Sequence, residues 1–337
     1  MNIIPNASLL SFNTFGIDVK ADYFVEYDSA TDLQAILQSE IVKSNRILHI
    51  GSGSNLLFLD DFKGVVLHSA IHSIKKIDEN SDSVYLEVGS SVNWDDFVAY
   101  CVENGWGGVE NLSLIPGEIG AAAVQNIGAY GVEVQDVIIE VNAVEIETAK
   151  IRNFSSIECH YGYRESIFKN QLKNKFIITS VVFKLDKKPV FKLNYQHFEE
   201  AVLKNGAIDL KNIRKTIIEI RESKLPDPKI LGNAGSFFMN PVIPKQHFFD
   251  LQVKYPHIPH YFVSETEEKV PAAWLIDQCG WKGIQIGNAA VHDKQALVLV
   301  NKGGATGAEI VFLAEQIQKS VKEKFGIELH PEVNYIN

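Results

Sequence analysis

The stretch Ile115-Pro116-Gly117-Glu118-Ile119-Gly120-Ala121-Ala122-Ala123-Val124-Gln125-Asn126-Ile127-Gly128-Ala129-Tyr130-Gly131 decides how this chain is read. Its residues are small, apolar and sharply turned, and neither a period of 2 nor one of 3.6 survives through it. Seven of the chain's 23 glycines fall in one irregular window: Gly105, Gly107, Gly108, Gly117, Gly120, Gly128 and Gly131. Glycine and alanine let backbone come close to a ligand, so that its amides can read the ligand's polar edges. A flat apolar cofactor such as a flavin ring meets that demand. So does a loop crossing a tight domain contact, and on these residues alone both readings stand.

A second loop lies upstream, where the buried strand Arg46-Ile47-Leu48-His49-Ile50 runs into Gly51-Ser52-Gly53-Ser54-Asn55-Leu56. The dinucleotide fingerprint fails there twice. Leu56 occupies the place of the third glycine, and a strand-like run from Leu57 to Leu67 follows instead of a helix. No Gly-Lys-Ser/Thr occurs, which removes the Walker A loop. What remains is either a plain tight turn or a nest of backbone N–H groups and two hydroxyls able to cradle a pyrophosphate.

Around these loops, strands are expected at Asp22–Tyr27, Val84–Val88, Val137–Val141 and Phe176–Val182. Helices are expected after the Ser29 cap, after the Asn93 cap with Trp94, Phe97, Val98, Cys101 and Val102 on one stripe, and from Ile213 to Ser223. A last helix opens on the capping box Thr306-Gly307-Ala308-Glu309 and buries Ile310, Leu313, Ala314, Ile317 and Val321. The stretch from Glu328 to Asn337 reads as extended. Strands and helices alternating in this way argue for an α/β or an α+β fold, the latter built of α/β subdomains.

Composition narrows the classes. The 337 residues are 46% hydrophobic and 22% charged, as in an ordinary soluble globular protein. A net charge of −10 disfavours a nucleic-acid partner. No segment approaches the ~20 apolar residues of a membrane span, and no signal peptide is expected. Cys101, Cys159 and Cys279 form no CxxC pair and are expected to be small buried side chains; no metal is expected.

Taken together, the two loops resemble the flavin-binding domain of the UDP-N-acetylenolpyruvoylglucosamine reductase family, within the wider vanillyl-alcohol-oxidase-like flavoproteins. Further stretches carry the resemblance along nearly the whole chain: Tyr163-Arg164-Glu165-Ser166, Lys224-Leu225-Pro226-Asp227-Pro228-Lys229, Gly232-Asn233-Ala234-Gly235-Ser236-Phe237-Phe238, Trp274-Leu275-Ile276-Asp277-Gln278-Cys279 and His330-Pro331-Glu332-Val333. It implies a vanillyl-alcohol-oxidase-like FAD-binding domain made of subdomains 1–70 and 71–205, with residues 327–337 packing back on the first, and a substrate-binding domain at 206–326. It also implies non-covalent FAD, with NADPH as co-substrate. Gly51, Ser52, Gly53, Ser54 and Asn55 would lie on the pyrophosphate. Ile115, Pro116, Gly117, Gly120, Gln125, Asn126 and Gly128 would run along the ring.

In that family the enolpyruvyl double bond of UDP-N-acetylglucosamine enolpyruvate is reduced to UDP-N-acetylmuramate for peptidoglycan synthesis. Hydride arrives from flavin N5 at the terminal carbon, and charge builds on the neighbouring carbon and its carboxylate. The resemblance gives Arg164 the carboxylate, Glu332 a polarising place beside it, and Ser236 the proton that quenches the charge. Tyr195, Arg221, Lys224, Asn240 and Gln295 would hold the UDP-sugar, Tyr195 on an extra segment typical of the longer subtype. Met239 departs from the pattern, standing where a cation is common in relatives. A cytoplasmic monomer is implied. Two rivals remain: a flavin oxidase of the wider family, which needs a base where this chain offers Ser236, and a UDP-sugar binder without catalysis.

Overall fold

The structure of the protein, a computed structural model, describes residues 2–195 and 197–337. The chain divides into two compact units. Met1–Ala7, Ala21–Ser52 and Lys63–Ser223 form the first, and Ser8–Lys20, Gly53–Phe62 and Lys224–Asn337 the second. Both mix helices and sheets, and the α+β class is the one observed.

The first unit carries two sheets. One has the order Ile3–Ser8, Lys20–Tyr27, Phe62–Ser69, Ile47–Ile50, its last pair parallel. The helix Ala30–Leu37 covers it, burying Leu33, Ile36 and Leu37 against Val25, Tyr27, Val65 and Leu67. The Ser29 hydroxyl accepts from the Asp32 N–H at 3.1 Å, so the expected cap forms. The single run expected from Leu57 to Leu67 is two strands, Leu56–Phe58 and Phe62–Ser69. Asp60 and Asp61 break it: the Asp60 carboxylate accepts the Asp61 N–H, and that of Asp61 accepts the Lys20 N–H.

The other sheet is antiparallel throughout, in the order Ile151–Ser155, Ile138–Glu145, Phe176–Asp186, Ser83–Gly89, Ile74–Glu79. Its central strand is buried on both faces from Ile177 to Phe183, with Thr179 and Ser180 the two polar residues among them. Helix Trp94–Glu103 buries the whole expected stripe, with Phe97 packed 4.8 Å from Phe183 between ring centroids. Each such side chain contributes about 1.5–3 kcal/mol by leaving water. The Trp94 indole N–H donates to the Leu112 carbonyl at 2.8 Å, tying the helix to the glycine-rich window.

Helix Leu210–Lys224 is fastened to this unit by Arg214, which donates twice to Asp95, at 2.6 and 2.8 Å. Burial pushes the Asp95 pKa up. The Arg214 hydrogen bond, the Leu114 N–H and the charges of Arg214 and Arg221 outweigh it and hold the carboxyl below the ordinary aspartate value. A depressed folded pKa stabilises the fold fully above the unfolded value and is lost as pH falls through the folded one. Replacing Arg214 by alanine is therefore expected to cost about 2 kcal/mol at pH 7, between exposed and fully buried pairs. In urea unfolding, the gap between R214A and the parent should close only below about pH 4.

The second unit has a four-stranded sheet in the order Gly232–Ser236, Val298–Asn301, Ala289–Val291, Gln285–Ile286. Helix Gly307–Phe325 packs its expected face there, buried at Ile310, Leu313, Ala314, Ile317 and Val321. Its capping box forms, the Thr306 hydroxyl and Glu309 carboxylate each taking the other's backbone N–H. A small sheet of Val242–Pro244, Glu267–Lys269 and Tyr261–Ser264 completes the unit, with a parallel pair of Asn334–Ile336 on Leu56–Phe58. Cys101 and Cys159 are buried as expected. Cys279 is only half-buried, because it caps the short helix Ala272–Gln278 just ahead of the exposed turn at Gly280. Among the described residues no helix is long and apolar enough to cross a membrane.

Candidate functional site

The glycine-rich window of the first unit contains a helix that periodicity missed, Ile119–Gln125. Three successive alanines favour it. It ends at Asn126, whose φ of 48° is left-handed, a conformation asparagine tolerates better than most residues. Asn126 is fully buried, and its amide nitrogen donates to the Gly162 carbonyl at 2.8 Å and to Glu133 at 2.9 Å. Its side-chain oxygen accepts the Gln135 N–H at 3.1 Å.

Gly162 begins the turn that carries Arg164, itself left-handed at φ 57°. The Arg164 guanidinium donates to the carbonyls of Gly128 (2.6 Å) and Asn126 (3.4 Å) and lies 5.3 Å from the Tyr163 ring centroid. The Glu165 carboxylate accepts from Asn170. Arg164 is thus brought to Asn126 and Gly128, two residues of the window.

Several glycines stand close to other parts of the protein, Gly53 against backbone. A Cβ on Gly51 would lie 2.8 Å from the Glu118 carboxylate, and one on Gly53 2.0 Å from the Phe12 carbonyl oxygen. A Cβ on Gly120 would meet Ser90 at 3.0 Å, and one on Gly128 would meet Arg164, Glu133 and Val132 at 3.0 Å. At Gly53 the neighbour is backbone, whereas at Gly51 it is the far end of the Glu118 side chain. A surface nonetheless remains. Ile115, Pro116, Ala121, Val124, Ile127 and Ala129 keep part of their apolar surface open while Ile119, Ala122 and Ala123 are buried beneath. A flat, mostly apolar ring fits such a face.

Beneath Gly51 lies a polar cluster that sequence reasoning overlooked. Glu118 stands 3.8 Å from His68, whose other ring nitrogen is 3.0 Å from Glu26. Burial alone would lower the His68 pKa; the hydrogen bonds and charges of Glu118 and then Glu26 raise it above the ordinary value. His49 is driven the other way, to about 3, by burial and then by the charge of His68. Its Nε2 is 2.7 Å from the Tyr27 hydroxyl, and the Ser69 and Ser90 hydroxyls are paired at 2.7 Å. No sequence motif marks these residues; only the close approach of Gly51 to Glu118 does.

Two further residues expected at the substrate lie in the first unit. The Tyr195 ring packs edge-on to Tyr130, 5.7 Å between centroids. Arg221 donates to the Leu114 carbonyl at 3.2 Å, and burial lowers its pKa against the opposing charges of Tyr130 and Asp95.

In the second unit Ser236 ends the strand Gly232–Ser236, exposed, after a turn in which Asn233 accepts the Gly235 N–H. The backbone of residues 330–332 runs antiparallel beside it. Met239 N–H donates to the His330 carbonyl, and Glu332 N–H to the Phe237 carbonyl at 2.8 Å. The segment that follows Ser236 is thus paired with the one that carries Glu332, Phe237 being the direct backbone partner of Glu332. Asn55 joins them, its amide donating to the Glu332 carbonyl at 3.1 Å while its own carbonyl accepts the Asn334 N–H. Asn240 accepts the Ala272 N–H at 2.9 Å and so begins a helix. Gln295 is half-buried and Lys224 exposed.

Comparison with known proteins gives two family matches. Residues 21–155 match the FAD binding domain, and residues 227–336 the UDP-N-acetylenolpyruvoylglucosamine reductase C-terminal domain. The chain is 52% identical over 329 residues to the UDP-N-acetylenolpyruvoylglucosamine reductase of Bacteroides fragilis, covering 98% of both chains. It is 49% identical over 338 residues to that of Porphyromonas gingivalis, covering both completely. Its fold matches the crystal structure of the Thermus caldophilus reductase with a TM-score of 0.70 at 20% identity, over 100% of this chain and 98% of that one. On this agreement of sequence and fold along its whole length, the chain belongs to the UDP-N-acetylenolpyruvoylglucosamine reductase family.

Proposed function

We propose that this oxidoreductase reduces the enolpyruvyl double bond of UDP-N-acetylglucosamine enolpyruvate to give UDP-N-acetylmuramate, with NADPH as electron donor. The observation that supports the reading is the pairing of residues 237–239 with 330–332, which joins the segment that follows Ser236 to the one that carries Glu332. An oxidase would need a base where this chain offers the Ser236 alcohol.

When bound, FAD would supply the hydride chemistry between NADPH and the substrate's double bond. The chain's own residues do the rest. The open apolar face from Ile115 to Ala129 holds the ring, with Gly117, Gly120, Gln125 and Gly128 shaping its backbone, and Gly51 to Asn55 take the pyrophosphate. Arg164 binds the enolpyruvyl carboxylate, for which a guanidinium offers two parallel donors. Glu332 polarises that carboxylate as charge builds on it, and Ser236 Oγ gives a proton to the carbon beside it. Lys224 neutralises diphosphate charge, Tyr195 closes over the nucleotide, and Arg221, Asn240 and Gln295 complete the UDP-sugar contacts. Subdomains 1–70 and 71–205, a substrate domain at 206–326 and a cytoplasmic monomer serving cell-wall precursor synthesis belong to the same proposal.

The test is spectroscopic. Without oxygen, NADPH should bleach the visible absorbance of the purified protein, and only the enolpyruvyl sugar should restore it. Bleaching without restoration would indicate a different reductase on the same fold. A protein that takes up no FAD would overturn the proposal.

A further inference from the structure

We infer that Asn126 is a positioning residue for Arg164 and does not contact the cofactor. The inference rests on the proposed reading of Arg164 as the ligand of the substrate carboxylate.

The protein's own atoms cover Asn126 completely, so its side chain has no surface to offer a ring lying along the window. Both amide protons are spent inside the protein, on Gly162 and Glu133, and the amide oxygen takes the Gln135 N–H. Three separate segments, at 126, 133–135 and 162, are knotted through one side chain.

The knot bears on Arg164 from two directions. Gly162 and Glu165 close a tight turn, each N–H donating to the other's carbonyl, with Arg164 inside it at φ 57°. A left-handed arginine persists only where its surroundings hold it. The Asn126 amide grips the Gly162 carbonyl, at the root of that turn. At the other end, the carbonyls of Asn126 and Gly128 receive the guanidinium, and the left-handed bend at Asn126 aims them there. Backbone and charged group of Arg164 are thus both referred to one buried amide.

The test compares N126G, R164K and the double variant as FAD-loaded full-length protein. Glycine accepts a φ of 48°, so N126G removes the knot while leaving the bend unstrained. In N126G the FAD dissociation constant and the rate of bleaching by NADPH should be unchanged. Its kcat/KM for the enolpyruvyl sugar should fall about 10²-fold, the scale of misplacing a reacting group by about an ångström. The double variant should be no worse than R164K alone, because both substitutions remove one function. Weakened FAD binding, equal slowing of both half-reactions, or multiplied losses in the double variant would each overturn the inference. R164K with parental activity would remove the reading of Arg164 beneath it, whereas an impaired R164K beside a normal N126G sinks the inference alone. Should N126G fail to fold, N126D sets a carboxylate against the Gly162 carbonyl and Glu133 and must give the same pattern.

Discussion

Turnover of the enolpyruvyl sugar is expected to fall about a thousandfold in S236A, within the usual worth of a positioned proton donor. An alcohol is a very weak acid, yet the carbanion formed by hydride addition is basic enough to take its proton. On the proposed reading, alanine leaves that charge without its proton donor. The substitution should spare the fold. The Ser236 side chain is exposed and has no hydrogen-bond partner among the described residues, while the preceding turn is held by Asn233 and by Gly235 at φ 68°. NADPH should therefore bleach S236A as fast as the parent, at an unchanged Tm. Rapid mixing of the reduced protein with the enolpyruvyl sugar isolates the affected step. If absorbance returns at the parental rate, the proton comes from another group.

The second large effect is on stability. In G53A, the new methyl carbon would be driven to 2.0 Å from the Phe12 carbonyl oxygen and 2.7 Å from the Asn13 Cα, all backbone with no side chain to yield. Gly53 also has a φ of 65°. The left-handed conformation costs a non-glycine residue about 1–2 kcal/mol, and overpacking about 1–3 kcal/mol more. Their sum, about 2–5 kcal/mol, is a large share of the ~5–15 kcal/mol that holds a protein folded. G16A supplies the control, since Gly16 has the same sign of φ, at 66°, but open space where its Cβ would stand. It should lose only the conformational part. Thermal and urea unfolding of the two variants, with flavin content, measure the difference. Equal losses would show that the clash at Phe12 relaxes.

Where a structural rule is local, the sequence could be read directly. Ser29, Asn93 and Thr306 cap the helices that begin beside them, and the Trp94 and Ile310 stripes are the buried ones. Boundaries moved where neighbours decide them. Helix Leu210–Lys224 runs beyond the expected 213–223, with Arg214 anchored on Asp95 more than a hundred residues away. In the glycine-rich window, alanine propensity beat the glycines over Ile119–Gln125, which period counting could not see. Leu114 at φ 58° has no marker in its side chain at all.

The candidate site was legible only as residue types in a familiar order. The order suggested Arg164, Ser236 and Glu332, but not what holds them. The contacts of Arg164 with Asn126 and of Glu332 with Asn55 span 38 and 277 residues, and neither leaves a periodic trace. Nor does the His68–Glu118 pair under Gly51, which ties the strand Phe62–Ser69 to the glycine-rich window.

The parallel pairing of Asn334–Ile336 with Leu56–Phe58 also sets an order of events during synthesis. The second unit draws on residues 8–20 and 53–62 as well as 224–337, so its early segments leave the ribosome long before their partners exist. Contacts so distant in sequence form late, because the intervening chain must close first. Until residues 334–336 have emerged, Leu56–Phe58 presents an apolar edge with no strand to cover it, two residues of which the finished protein buries completely. A nascent chain short of that strand is expected to expose this apolar edge, and the Asn55 contact with Glu332 cannot form before residue 332 has emerged.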